Sequence, residues 1–109
     1  MGVQLRIINE KNPYQIIALN SDFSIQKKFD INSFIDLSGL CYDSHLDQFW
    51  VVSAESQVLF RWNQSKGIIE QFDVLLKTPE GVAVDWDNNL IYVVSDSEAK
   101  LYIFKITDR

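Results

Sequence analysis

The chain has few residues of the types that most often carry covalent catalysis or cross-linking. Its 109 residues include one cysteine, Cys41, and one histidine, His45. A single cysteine excludes an internal disulfide, and Cys41 stands inside a predicted strand, where a thiol behaves as a small hydrophobe. We expect His45 to be solvated, because its neighbours are typical of a turn, and no G-x-S-x-G motif occurs. The sequence therefore predicts no catalytic residue.

Basic clusters and long apolar runs are also scarce. The formal net charge is −5, and Lys27-Lys28 is the one pair of adjacent basic residues. This balance argues against nucleic acid as a partner and disfavours anionic membranes. No segment has the length of a transmembrane helix, and the first ten residues lack the features of a signal peptide. We expect a soluble, cytoplasmic protein for the chain as given, with no membrane insertion.

Proline and glycine are sparse, at two and four residues, and apolar segments alternate with short polar ones. The clearest example is Thr78–Lys105. In it, Gly81–Asp85, Leu90–Val94 and Leu101–Phe104 have the β-branched and aromatic content of strands, and the polar segments between them favour turns. Because 47% of all residues are hydrophobic, such strands can bury a core.

The same pattern occurs earlier in the chain. Four pairs of matching residues are each 42 positions apart: Gly39 and Gly81, Asp43 and Asp85, Ser53 and Ser95, and Leu59 and Leu101. A second match, of residues 16–20 with 59–63, has an offset of 43. A repeat of about 40–45 residues with about four strands has the size of one β-propeller blade. The predicted fold class is therefore all-β, a partial β-propeller.

The repeat divides the single domain, residues 1–109, into about two and a half four-stranded antiparallel blades. With strands A to D counted outward from the axis, residues 3–31 supply strands B to D of a first blade. Residues 37–74 form a complete blade, and residues 80–106 supply strands A to C of a third. In the last strand of the first blade, alternation predicts that Phe23, Ile25 and Phe29 face inward.

Two and a half blades leave sheet edges and apolar faces open. Propellers usually close a ring of about 4–8 blades, and open edges and faces favour association. We therefore predict that the chain is either a homo-oligomer, in which copies cover the open blades, or part of a longer propeller. We expect a non-enzymatic binding or scaffold role, and no motif identifies the ligand.

Several segments together resemble one known family. These are residues 36–43 (DLSGLCYD), 49–56 (FWVVSAES), 79–85 (PEGVAVD), 92–96 (YVVSD) and 101–104 (LYIF). They are similar to the SdiA-regulated (YjiK-like) family, which implies a six-bladed propeller of mostly uncharacterised function. The last repeat is also similar to NHL and YWTD propeller repeats, although Val93-Val94 replaces the Trp-Thr of the latter.

The resemblance also implies a metal site, since the family is related to calcium-dependent propellers in which the Glu of a Pro-Glu-Gly segment binds the metal. Glu80 stands at that position. Asp36 and Asp96 are expected at the same end of the axis, and Ca²⁺ prefers several carboxylate and carbonyl oxygens. Glu80, Asp36 and Asp96 are therefore the predicted metal ligands, with calcium as cofactor. The alternative function is a calcium-dependent, hydrolase-like site formed only in an oligomer or longer chain.

Two acidic segments have a competing structural interpretation. For Glu80 we favour a role as acceptor of backbone N–H bonds in the connection between blades. Asp85–Asn89 has oxygen ligands at the spacing of a calcium loop, but Leu90 replaces the required glycine, so the sequence favours a hairpin turn. Asp43 and Asp85, which match in the repeat, are predicted to accept turn hydrogen bonds, and Trp86 to be partly exposed.

Overall fold

A computed structural model describes residues 5–9, 13–34 and 36–107. In those ranges it contains ten strands and no helix, which confirms the all-β prediction. The strands are β1 (Leu5–Asn9), β2 (Gln15–Leu19), β3 (Ile25–Asp30), β4 (Leu37–Asp43), β5 (Gln48–Ser53), β6 (Val58–Asn63), β7 (Gly67–Asp73), β8 (Pro79–Asp85), β9 (Leu90–Ser95) and β10 (Lys100–Lys105). Within the described ranges, no helix long and apolar enough to cross a membrane is present.

The strands form three antiparallel sheets, each a simple meander. Sheet 1 has the order β1-β2-β3, sheet 2 the order β4-β5-β6-β7, and sheet 3 the order β8-β9-β10. The number of strands and their grouping in three, four and three agree with the repeat seen in the sequence. Short polar turns join neighbouring strands, so pairing is local along the chain. The molecule is a partial β-propeller.

Backbone irregularities recur with the spacing of the repeat. Asp47 and Asn89, 42 residues apart, end matching hairpin turns with φ of 52° and 56°. Gln57 and Ala99 are related in the same way, with φ of 53° and 51°. Neither of the latter is a residue type that favours this region, so the four-residue turn itself imposes the conformation.

The core consists of two clusters, one on each face of sheet 2. Because side chains alternate along a strand, Phe49 and Val51 of β5 pack toward sheet 1, while Trp50 and Val52 pack toward sheet 3. Phe60 is fully buried in the first cluster, and Val93 in the second. Sheet 2 is thus covered on both sides, whereas sheets 1 and 3 are each covered on one.

The prediction for the last strand of the first blade is wrong at two of three positions. Phe23 is 73% exposed and lies before β3, with φ of 70°. Ile25 is 55% exposed, because its side of sheet 1 faces away from sheet 2. Phe29 does pack inward: its ring and that of Trp62 form an edge-to-face pair whose centroids are 5.1 Å apart. Alternation identified two faces but not which of them is covered.

Candidate functional site

The three predicted metal ligands lie near the ends of the inner strands. Glu80, in β8, and Asp96, just after β9, are exposed and line one shallow depression of about 430 Å³, together with Lys100. Asp36, just before β4, is half-buried, and its carbonyl oxygen accepts a hydrogen bond of 3.0 Å from the Ala54 N–H. Asp36 does not line that depression. Among the described residues, no three His, Cys, Asp or Glu side chains are grouped closely enough to hold a metal ion.

The connection from β7 to β8 is held by side chains at the end of β9 and in the turn after it. The Ser95 hydroxyl donates to the Lys77 carbonyl oxygen, and the Glu98 carboxylate accepts a bond of 3.3 Å from the Lys77 N–H. Glu98 also accepts a 2.9 Å bond from the Tyr102 hydroxyl, which lowers the pKa of Glu98 below its ordinary value. Sequence reasoning did not identify this structural role of Ser95 and Glu98.

Asp43 is a buried carboxylate, 1% exposed, that accepts four hydrogen bonds. Its Oδ1 accepts from the backbone N–H groups of His45 and Leu46, at 2.9 and 3.1 Å, as predicted for a turn. Its Oδ2 accepts from the indole N–H groups of Trp50 and Trp86, at 2.8 and 2.7 Å. Because Trp86 belongs to the next repeat, this carboxylate joins sheet 2 to the turn between β8 and β9.

The segment with calcium-loop spacing is a hairpin turn, as predicted. Asp85 Oδ1 accepts a 3.3 Å bond from the Asn88 N–H, and its Oδ2 accepts a 2.8 Å bond from the Asn88 side chain. Trp86, at the start of the turn, is half-buried, and the exposed ring of His45 stacks on it with centroids 4.6 Å apart. These contacts give His45 a packing role in the contact between repeats.

Cys41 has the environment of a packed side chain rather than of a nucleophile. It lies in β4 and packs against the cluster between sheets 2 and 3. Burial raises the pKa of its thiol to about 11, so the reactive thiolate is scarce at neutral pH.

Sheets 2 and 3 approach closely at Gly39. A Cβ built there would lie 2.8 Å from the Glu80 carbonyl oxygen and 3.0 Å from the Gly81 Cα, both in the backbone of β8. The neighbouring Ser38 hydroxyl donates to the Pro79 carbonyl oxygen and so joins the same two strands. Close approach of two backbones explains the glycine.

The face of sheet 3 that points away from sheet 2 is apolar and exposed. We call it the tail face; it consists of Ala83, Tyr92, Val94, Leu101 and Ile103. Val94, Leu101 and Ile103 are 44%, 55% and 57% exposed. Side chains of this size are seldom left together in water unless the surface takes a partner.

The tail face has a direct counterpart in sheet 2. The residues 42 positions before Tyr92, Val94 and Leu101 are Trp50, Val52 and Leu59. These are 4%, 0% and 3% exposed, because sheet 3 packs on them. The repeat therefore places on the tail face the same strand positions that receive the following blade in sheet 2.

The opposite end of the molecule has a second open surface on sheet 1. We call it the head face; its members, on strands β1 to β3, are Leu5, Ile7, Ile17, Leu19 and Ile25. Ile7 and Ile25 are 48% and 55% exposed. By the strand registers, Ile7 and Ile17 correspond to Val51 and Phe60 of sheet 2, which are buried against sheet 1. The head face thus presents the positions that dock on a preceding blade.

Comparisons with known proteins agree with this architecture. The family model described as SdiA-regulated matches residues 1–105. A search of curated proteins found no match. Among solved structures, the chain is similar to a catalytically inactive virginiamycin B lyase from Staphylococcus aureus, a propeller-type protein crystallised with quinupristin. The TM-score is 0.54 at 15% identity, and the match covers 91% of this chain and 40% of the lyase chain, which shows the fold alone.

Proposed function

This chain belongs to the SdiA-regulated family, and we propose that it is a non-enzymatic propeller module that associates with further copies of itself. Its tail face docks on the head face of a second copy, so that copies stack as blades do within one chain. The observation that carries the proposal is the exposure of Val94 and Leu101 at positions whose counterparts in sheet 2, Val52 and Leu59, are buried. The alternative occupant is a further blade of a longer propeller.

The physical basis of this association is burial of apolar surface. Removing apolar side chains from water contributes about 25 cal/mol for each Å² buried. The interfaces between sheets 1 and 2 and between sheets 2 and 3 use the same strand positions, so a head-to-tail contact would repeat a packing that the fold already makes twice. Each repeat of such an array contacts its neighbours only.

The experiment is light scattering on a sizing column over a range of protein concentrations. The wild-type mass is expected to rise above 12.7 kDa, the mass of one chain, while Ile103→Asp and Ile7→Asp stay at it. The matched control is Leu75→Asp, because Leu75 is 95% exposed in the connection between β7 and β8 and belongs to neither face. This control is expected to associate like the wild type.

Mixing the two face variants tests the head-to-tail arrangement. Ile103→Asp keeps an intact head face and Ile7→Asp an intact tail face, so an equimolar mixture is expected to form dimers although neither variant associates alone. A symmetric tail-to-tail contact would instead let Ile7→Asp, whose tail face is intact, dimerise alone. A folded wild-type chain that stays at 12.7 kDa at every concentration would overturn the proposal.

A calcium site is the second candidate, favoured by the shared depression that Glu80 and Asp96 line. These two carboxylates would hold the cation with further oxygens from a second copy, since Ca²⁺ takes six to eight. Calcium is then expected to raise the thermal midpoint of the wild type, as ligand binding to the folded state does, and not that of Glu80→Gln. Asp87→Asn, in the exposed turn, is the control. Equal midpoints with calcium and with chelator would exclude the site.

A further inference from the structure

Among the described residues, sheet 3 ends in an edge strand with no partner on its outer side. β10 pairs with β9 on one side and lies at the end of its sheet, whereas its counterpart β6 also pairs with β7. The Ile106 N–H donates to the Asn89 carbonyl oxygen at 2.7 Å, continuing the register of the β9–β10 pair. Backbone N–H and C=O groups alternate in direction along an antiparallel strand. Those of Leu101 and Ile103 therefore point to the free edge.

The pairing of β6 with β7 in sheet 2 shows which kind of strand pairs with such an edge. The Val74 N–H donates to the Gln57 carbonyl oxygen at 2.9 Å. By the same alternation, the backbone groups of Leu59 and Arg61 form hydrogen bonds with β7. They are the residues 42 positions before Leu101 and Ile103. The free edge of β10 therefore presents the pattern of donors and acceptors that β7 satisfies in sheet 2.

We propose that the free edge of β10 binds an extended peptide segment from another polypeptide chain as a fourth, antiparallel strand. The segment has an aliphatic side chain near its amino end and an acidic residue at its carboxyl end. This inference goes beyond the lateral association of copies and does not depend on it, because edge pairing and face packing use different surfaces of sheet 3.

A cavity beside the edge accounts for the aliphatic residue. It has a volume of about 600 Å³ and lies between β7 and the end of β10. Its wall combines the aromatic side chains of Trp50, Phe72, Trp86 and Phe104 with aliphatic ones such as Leu59 and Ile91, and charged residues also line it. In sheet 2, Ile68 of β7 stands opposite Trp62, the counterpart of Phe104, and packs against the core cluster toward sheet 1. A residue in the place of Ile68 on an added strand would enter this cavity.

Charges at the ends of β10 account for the acidic residue and for the direction of the segment. In sheet 2, Asp73 of β7 stands opposite Val58, whose counterpart on β10 is Lys100. Because the added strand is antiparallel, its carboxyl end lies beside Lys100, where an acidic side chain meets an opposite charge across the strand pair. The amino end then lies near Lys105 and the cavity.

The test uses a synthetic peptide with the sequence of residues 66–74, KGIIEQFDV, as the probe. Titration into the wild-type protein is expected to change the fluorescence of Trp50 and Trp86, which line the cavity, and to saturate. Peptides carrying Ile68→Asp or Asp73→Lys are expected to bind at least about tenfold more weakly, since each loses one contact worth roughly a factor of ten. No saturable change, or equal affinity for the three peptides, would overturn the proposal.

Peptides methylated on single backbone nitrogens distinguish strand addition from other binding without changing the protein. In sheet 2, Glu70 stands opposite Arg61, at a hydrogen-bonded position, and Gln71 faces the other way. Methylation at Glu70 is expected to weaken binding about tenfold, and methylation at Gln71 less than twofold. Equal losses at both positions would mean that no strand forms.

A variant of the edge identifies the strand to which the peptide binds. Ile103→Pro removes one outward N–H, a change that an edge strand tolerates, and Ile103→Val retains it. The peptide is expected to bind the valine variant and not the proline variant. Undiminished binding to a folded Ile103→Pro would place the peptide elsewhere. If the wild type does not bind the peptide, the proposal is wrong, whether or not copies associate through the tail face.

Discussion

Replacing Gly39 by alanine is expected to destabilise the fold at the contact between sheets 2 and 3. The new Cβ would lie 2.8 Å from the Glu80 carbonyl oxygen, 3.0 Å from the Gly81 Cα and 2.8 Å from Val52 Cγ2. Two of these atoms are backbone, so β8 as a whole has to move. Overpacking of this kind costs about 1–3 kcal/mol, and the entropy gained by removing a strand glycine offsets about 0.5–1 kcal/mol. We expect a net loss of about 1 kcal/mol.

The matched control is the same change 42 residues later. A Cβ at Gly81 would meet one close atom, Val94 Cγ2 at 2.9 Å, and no backbone. Val94 is 44% exposed and has room to turn. The small steric cost and the entropy gain then nearly cancel, so we expect Gly81→Ala to change the stability by less than about 0.5 kcal/mol.

Urea unfolding followed by tryptophan fluorescence measures both variants, at protein concentrations low enough to keep single chains. A lower midpoint for Gly39→Ala with an unchanged slope would report a loss of stability alone. If Gly81→Ala is as unstable as Gly39→Ala, the cost is intrinsic to the strand position and the argument from sheet contact fails. A neutral Gly39→Ala would mean that the two backbones are not in contact.

Three further expectations concern the buried and linked polar groups. Asp43→Asn removes one acceptor oxygen from a carboxylate that serves four donors and leaves buried N–H groups unpaired, which costs about 1–3 kcal/mol in urea unfolding. An equal loss for Asp85→Asn, whose half-buried carboxylate accepts its bonds from Asn88 within the same turn, would contradict this. The thiol of Cys41, with a pKa of about 11, is expected to react with a disulfide reagent at pH 8 only after unfolding, and fast labelling of the folded chain would refute that. The pKa of Glu98 is lowered in the folded state, chiefly by the Tyr102 hydroxyl. The contribution of Glu98 to stability is therefore present above its ordinary pKa of 4.5 and is lost as the pH falls through the lower folded value. Tyr102→Phe is expected to reduce the acid dependence of the thermal midpoint in that range, and an unchanged dependence would exclude the link.

Much of the fold could be predicted from the sequence because its determinants are local. Strand residues alternate with period two, and polar turns recur at the same places in each repeat. The complete blade was predicted as residues 37–74, and β4 to β7 extend from Leu37 to Asp73. The turn role of Asp43 followed from its place after strand A and is confirmed by its bonds to His45 and Leu46.

The candidate site was less accessible to sequence reasoning. The two indole bonds to Asp43 join residues 7 and 43 positions away, and no local pattern marks them. A signal was nonetheless present, since Trp50 lies near the turn end of β5 and Trp86 is the first residue of the turn after β8. The metal assignment of Glu80, Asp36 and Asp96 stays a prediction that the calcium experiment tests.

The sequence by itself determined the strands, the turns and the 42-residue repeat, because each depends on residues close together in the chain. Only the tertiary structure decided which faces are covered. Leu59 and Leu101 occupy the same place in the repeat, yet one is 3% and the other 55% exposed. The difference depends on whether another sheet packs on that face, and this is a property of segments far apart in the chain rather than of the strand itself. For the same reason, alternation could not predict that Ile25 is exposed while Phe29 is packed.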